Sequence, residues 1–551
     1  MISKKAFIIC VLLIAGGLSG FTSCKFRQRA DLIIHHAKIY TVDEKFSVSE
    51  AMAVRDGKII AIGTNDDILK QYESDLVSDA KGKAVFPGFN DAHAHFLGYG
   101  FSLQTVNLVD TESWEAVLVR AREFAKGLPA GVWLTGRGWD QNDWVVKEFP
   151  DNTKLNELFP DRPVIITRID GHAAIANQKA LEIAGIKPGY KITGGDIEVK
   201  NGILTGLLID KAMGLVSAKI PGIDAEKSRT ALLLAQANCF ATGLTSVHDC
   251  GVSYKNVELI EALQKTGDLK MRINAMLSDT KNNYDQAFKR GKIKTDRLNV
   301  SSFKVYADGA LGSRGASLLQ PYSDKPEWSG FLLSPPAHFD SVANIIAQKG
   351  WQMCTHAIGD SGNRTMLNIY AKYLKGKNDL RWRIEHAQVI NENDFHFFGD
   401  YNIIPSVQPT HGTSDMYWAG DRLGPVRVKG AYAYQQLLKE NNWIPLGTDF
   451  PVEDISPFKT FFAAVVRQDA KGFPAGGYQI ENALTREQAL RGMTTWAARA
   501  SFEEKQKGSL EKGKFADFII LDTDLMNCNT ADILKAKVLA TYVNGEKVYG
   551  K

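Results

Sequence analysis

Two histidines two residues apart, His93 and His95, follow the apolar run Ala84-Val85-Phe86-Pro87-Gly88-Phe89. On a strand, side chains at i and i+2 share a face. Both imidazoles therefore aim at one point, about 7 Å apart along the strand. Imidazole is the commonest side-chain metal ligand, so the pair reads as part of a metal site. Further polar residues close apolar runs in the same manner: Lys304, His356, His386 and Asp449. Four histidines, one lysine and one aspartate at five strand ends make a coherent ligand set. His35, His36, His338 and His396 lack that context, and His248 and His411 lie near strand ends without joining the set. A barrel glycosidase would need two carboxylates about 5–10 Å apart, and these strand ends offer mostly histidine.

The elements that must position these residues alternate between strands and helices, which predicts βα units and a parallel sheet. After the strand bearing His93 and His95, strands are expected at 244–249, 271–276, 302–306, 352–356, 382–386, 403–407 and 443–449. Helical spacing of apolar residues predicts helices over 340–348, 363–375 and 430–441. Eight such units predict an α/β fold, a (β/α)8 barrel, with its active site at the C-terminal strand ends.

Between the first two strands lie about 145 residues, far more than one crossover requires. This stretch, about 100–240, is expected to be an insertion over the top of the barrel, where loops carry substrate contacts. It holds Gly136-Arg137-Gly138-Trp139-Asp140, Arg168-Ile169-Asp170-Gly171-His172, and apparent hairpins around Gly194-Gly195 and Asn201-Gly202. Its tryptophans, Trp133, Trp139 and Trp144, serve either a substrate pocket or the insertion's own core. Short strands with Asp56-Gly57 and Asn544-Gly545 turns mark the two chain ends. Neither end is large enough for its own core. Residues 24–82 and 508–551 are therefore expected to pair into one small β-sandwich domain bracketing the barrel, 83–507.

Lys4 and Lys5 precede an apolar stretch, Ala6 to Leu18, too short for a span of about 20 residues. It ends Gly20-Phe21-Thr22-Ser23-Cys24, which resembles a bacterial lipobox. That resemblance implies a signal peptide over 1–23, lipid attachment to Cys24, and an exported protein anchored to a bacterial membrane. The net charge is +4, of which Lys4 and Lys5 supply two, and no long basic run remains. Nucleic acid is not an expected partner. Cys239, Cys250, Cys354 and Cys528 are too scattered for a disulfide framework and are expected to be buried and free. A small-molecule substrate is expected, and a homo-oligomer is compatible with the composition.

Several stretches together carry a family resemblance. They are Phe86 to His95, Phe303-Lys304-Val305-Tyr306-Ala307-Asp308-Gly309-Ala310-Leu311-Gly312-Ser313-Arg314, His356-Ala357-Ile358-Gly359-Asp360, Arg383-Ile384-Glu385-His386, Gly447-Thr448-Asp449-Phe450-Pro451-Val452 and Gly508 to Asp517. The chain resembles the amidohydrolase superfamily, specifically amidohydrolase family 3 and its YtcJ-like branch, which includes N-substituted formamide deformylases. Asp170-Gly171-His172 with Asn177 fits the insertion of that branch. The resemblance implies a divalent metal, zinc in the first instance, on His93, His95 and Asp449. It implies a second metal on His356 and His386, bridged to the first by a carboxylated Lys304. A shared hydroxide would attack the substrate carbonyl, with Asp449 as proton shuttle and His172 contacting the carbonyl or tetrahedral intermediate. With one metal, His93, His95, His356 and Asp449 suffice, and Lys304 and His386 turn to the substrate. The function implied is hydrolysis of a non-peptide C–N bond, of amide or N-formyl type. A cyclic-amidine deaminase on the same scaffold and a non-catalytic small-molecule-binding lipoprotein are the alternatives.

Overall fold

The computed structural model describes residues 27–129, 131–221 and 225–550. The expected signal segment, 1–23, and the expected lipid-bearing Cys24 lie outside these residues. No helix among the described residues is long and apolar enough to cross a membrane.

Seven parallel strands lie side by side in chain order: β1 (Phe89–Ala94), β2 (Leu244–Val252), β3 (Arg272–Ser278), β4 (Leu298–Tyr306), β5 (Gln352–Ala357), β6 (Arg383–His386) and β7 (Ile404–Ser406). A short strand, Ile293–Lys294, adds an antiparallel partner to β4. Parallel strands covered on both faces carry near-continuous apolar runs, and β1, β5, β6 and β7 are buried at every position. Helices Tyr254–Thr266, Lys281–Arg290, Pro336–Gln348 and Asp360–Leu374 follow successive strands. The expected helix over 430–441 divides into a 3-10 turn, Val428–Gly430, and the helix Tyr434–Asn441.

The eighth strand position is irregular. Segment 443–449 closes the gap between β7 and β1 through a single parallel bridge, Val407 to Leu446. The Ala92 amide also bonds the Leu446 carbonyl, at 3.1 Å, and the Asp449 amide bonds the His93 carbonyl, at 2.8 Å. Pro445 has no N–H to give to a ladder, and Asp449 has a φ of 62°. The barrel is thus nearly closed, with its least regular element beside the two paired histidines.

Residues 106–210 form a six-stranded mixed sheet in the order Val106–Asn107, Leu134–Trp139, Val164–Arg168, Ala173–Ala176, Ile203–Asp210, Gly195–Lys200. The last two strands make a hairpin through Asn201-Gly202, whereas Gly195 begins a strand rather than a turn. Trp139 and Trp144 are buried in an apolar cluster with Leu134, Leu155 and Ile166. Trp133 packs on a neighbouring cluster around Leu181 and Leu208. All three fill the core of this segment.

The chain ends meet in a six-stranded sheet, where Phe518–Leu521 pairs antiparallel with Ala84–Pro87. A four-stranded sheet from residues 32–79 lies against it, and Ile34, Met52, Val54, Val85, Phe518 and Ile520 share one apolar cluster. Ala84–Pro87 runs directly into β1, so this sheet anchors the strand that bears His93. At the base of β3, the buried Arg272 donates from Nη2 to Asp517 at 2.8 Å and ties barrel to sheet. Cys239, Cys250 and Cys354 are buried and free, while Cys528 is free and partly exposed.

Candidate metal centre

The C-terminal ends of the strands open into a cavity of about 720 Å³. His95, His172, His356, His386, His411 and Asp449 all line it. His93 lies directly beneath, fully buried at the end of β1.

The Asp449 carboxylate is the hub. Its Oδ1 lies 3.2 Å from His95 Nε2 and 3.5 Å from His93 Nε2. Its Oδ2 lies 3.2 Å from His411 Nε2. His93, His95 and Asp449 each offer a ligand atom within 4.8 Å of the others, and His386, His411 and Asp449 form a second such group. Lys304 is wholly buried on β4, with Nζ 3.2 Å from His93 Nε2. His356 is 4.5 Å from His386 between ring centres, and its buried Nε2 has no hydrogen-bond partner. Orphaned buried polar atoms are rare in folded proteins. Convergent imidazoles, a carboxylate and a free buried nitrogen are the donor set of a divalent metal.

Each ring is oriented from behind. His93 Nδ1 donates to Glu385 Oε2 at 2.5 Å, and His95 Nδ1 to the Cys250 carbonyl at 3.0 Å. His386 Nδ1 bonds Gln408 Oε1 at 2.8 Å. Such outer partners fix ring tautomer and direction in metal sites. Glu385 is itself held by Arg383, whose Nη2 donates to Oε2 at 2.9 Å. Arg383 also reaches the buried His248 Nδ1 at 2.9 Å, so His248 belongs to this supporting layer.

Backbone geometry sets the directions of the ligands. His386 and Asp449 have φ of 73° and 62°, a region costly for residues other than glycine. The two turns aim both side chains at the same point. Gly447 is required by the close approach of β1: a Cβ there would lie 2.6 Å from the His93 nitrogen. Asp91 fixes the segment in register, accepting from the Thr448 amide at 3.0 Å and the Thr448 hydroxyl at 2.6 Å. Burial pushes the Asp91 carboxyl up to about 7.

Protonation suits metal binding. Burial, reinforced by the Lys304 charge, pushes His93 down to about 4. Burial also holds His356 and His386 well below the ordinary imidazole range, so these rings are neutral. Burial opposes the charge of Asp449, but His93, His411 and His95 outweigh it and keep the carboxylate ionised. Burial likewise opposes His411, whose hydrogen bonds to Asp449 and Glu453 hold it well above the usual value.

The expected residues fall into one site, with His172 at its rim. His172 Nδ1 bonds Asp210 Oδ1 at 2.5 Å, and its ring stands 5.1 Å from that of His356. Burial opposes the charge of His172, and Asp210 more than restores it. His411 is in the site but outside the expected ligand set. It is the third residue of the short helix Pro409–Asp415, five residues past the end of β7. Its nearness to a strand end is the signal that could have found it. Glu385, one residue before His386, is the other contributor that strand-end reading passes over.

Comparison with known proteins places this arrangement. The sequence pattern of the amidohydrolase family matches residues 76–549. The chain is 33% identical over 94% of its length to the Arabidopsis thaliana protein LONG AFTER FAR-RED 3, covering 92% of that protein. It is 30% identical over 94% of its length to a Bacillus subtilis protein named as an amidohydrolase, YtcJ, covering 99% of it. It is 26% identical over 94% of its length to the N-substituted formamide deformylase of Arthrobacter pascens, covering 98% of it. Among solved structures, an uncharacterised metal-dependent hydrolase from Pyrococcus horikoshii superposes with a TM-score of 0.75 at 28% identity, over 91% of this chain and 99% of that one. Family pattern, barrel and convergent His/Asp cluster agree, and the chain belongs to the metal-dependent amidohydrolase family.

Proposed function

We propose that this protein hydrolyses a non-peptide C–N bond, of amide or N-formyl type, in a small molecule. The observation that carries this reading is the convergence of His93, His95 and His411 on the Asp449 carboxylate at the floor of one cavity. A cavity of about 720 Å³ is the size of a small-molecule site. In this reading His93, His95 and Asp449 would hold one divalent metal, zinc, and His356 and His386 would hold a second. Lys304 would contribute as its carbamate, which replaces a repelling ammonium by an anionic oxygen ligand. Its Nζ, 3.2 Å from His93 Nε2, supports that position. Such a site would supply Lewis acidity, which lowers the pKa of water towards 7 and polarises a carbonyl.

The remaining work belongs to side chains. Asp449 is ionised and accepts the proton of the attacking water, then delivers it to the leaving nitrogen. Its hydrogen bond from His411 holds the carboxylate in place. His172, fixed by Asp210, offers Nε2 as a donor to the substrate oxygen. The insertion segment closes the cavity from above through Arg137, Asp140 and Arg168. We further propose export with lipid on Cys24, supported by the Lys4-Lys5 and apolar segment that precedes it. Radiolabelled palmitate incorporation that disappears in Cys24→Ala checks that point.

Turnover tests the reaction. N-Benzylformamide should yield benzylamine with zinc-loaded protein, lose turnover on chelation and regain it with zinc. Ammonia release from adenine or another cyclic amidine, without any formamide turnover, would favour a deaminase instead.

A further inference from the structure

Three cationic side chains outside the histidines line the cavity: Arg137, Arg168 and Lys459. Two are neutralised by the protein. Arg168 pairs with Asp140 and Asp170, and Lys459 lies 2.7 Å from Asp454. Arg137 differs. It has no carboxylate within ion-pair distance among the described residues, and its Nε is shut off from solvent with no hydrogen-bond partner. Its one hydrogen bond runs from Nη2 to the Ile169 carbonyl at 2.7 Å.

This position is built rather than incidental. Arg137 sits on the strand Leu134–Trp139, in register with Asn107 on one side and Thr167 on the other. Its guanidinium lies over Gly171, where a Cβ would stand 3.2 Å from Nη2 and 3.4 Å from Nη1. Gly171 also has a φ of 78°, so the turn before His172 leaves room for the guanidinium. The fork therefore lies beside the residue that faces His356. The cavity's nearer carboxylates are engaged elsewhere: Asp170 by Arg168, Asp449 by His95 and His411, Glu453 by His411 and Ser414, and Asp415 by Tyr432. Arg137 is half-buried in the cavity wall, Asp449 and Asp170 act on its charge only from beyond ion-pair distance, and its planar fork matches a carboxylate.

We propose that Arg137 receives a carboxylate of the substrate, so that the enzyme acts on amides whose remaining part carries a carboxylate. This rests on the hydrolase reading above, and its test is independent of turnover. The zinc-loaded protein is titrated calorimetrically with 3-phenylpropionate and with 3-phenylpropanamide, a charged and a neutral ligand of the same shape. The wild type should bind the carboxylate about 10–100-fold more tightly. In Arg137→Gln the two affinities should fall within about threefold of each other. Arg137→Lys keeps the charge but loses the fork, and should retain only part of the preference. It decides the matter should Arg137→Gln fail to fold.

Equal binding of the two ligands by the wild type would overturn the proposal. So would failure of the carboxylate to bind at millimolar concentration, or a full preference surviving in the Arg137 variants, which would assign the carboxylate to the metal. Turnover of N-formylphenylalanine beside N-benzylformamide, measured separately, reports on the hydrolase reading: hydrolysis of neither contradicts that reading, whatever the titration gives.

Discussion

Glu385→Gln should weaken the metal centre and the barrel together. Glu385 is fully buried between His93 Nδ1, at 2.5 Å, and Arg383 Nη2, at 2.9 Å. Burial opposes its charge, but Arg383 and His93 outweigh burial and hold it below the usual carboxylate range. Glutamine keeps the shape and one acceptor oxygen but removes the charge. Arg383 would retain its bonds to the Ala92 carbonyl (2.6 Å), Ser406 Oγ (2.8 Å) and His248 Nδ1 (2.9 Å), with no counter-ion. Removing one member of a buried ion pair costs about 3–5 kcal/mol, and the retained acceptor places this variant near the lower value. For His93, loss of the orienting carboxylate should weaken metal binding by about 10–100-fold. Urea unfolding of chelator-treated protein reads the first effect, and zinc competition against a chromophoric chelator reads the second. Unchanged stability together with zinc affinity within about twofold of wild type would refute the supporting role assigned to Glu385.

Asp449→Asn should leave the circular dichroism spectrum intact and lower turnover by about 10²–10⁴-fold; near-normal activity would contradict the proton-shuttle role. His93 should stay neutral down to about pH 4 in chelator-treated protein, read by NMR of its ring nitrogens, and a midpoint near 6.5 would contradict the burial argument. An unfolded histidine titrates near 6.5, so the unfolded state takes up the proton first. The His93 contribution to stability is therefore present above about pH 6.5 and lost as pH falls towards 4, and His93→Asn should lose less stability across that window than wild type. Gly447→Ala would drive a methyl group to 2.6 Å from the His93 nitrogen, at about 1–3 kcal/mol of overpacking, and elemental analysis should find its metal content reduced.

Much of the barrel is legible because buried parallel strands write their own signature. Apolar runs mark most of β1 to β7, and the histidines at the ends of β1, β5 and β6, namely His95, His356 and His386, line the cavity. The eighth position was harder to read. Trp443 to Asp449 carries an apolar run, but Pro445 and the turn at Asp449 break its ladder, and no periodicity distinguishes a strand from an irregular closing segment. His411 escapes for a related reason, since a short helix rather than a strand presents it. Glu385 reads as one more residue of an apolar strand until His93 is found opposite it. The tryptophans of the insertion show the limit of composition: Trp139 and Trp144 could have lined a pocket, and only the packing places them in a core. The isolation of Arg137 is likewise invisible in the sequence, because Arg168 and its aspartates carry the same residue types in the same stretch.

The most direct measurement is metal per chain, by elemental analysis of soluble protein beginning after Cys24 and purified without chelator. Two equivalents are expected, falling when His93 and His95 are replaced by alanine, with turnover falling in step. One equivalent would retain the hydrolase and move Lys304 and His386 to the substrate. Protein that stays metal-free after incubation with zinc and bicarbonate would contradict the metal centre, and with it the hydrolytic function.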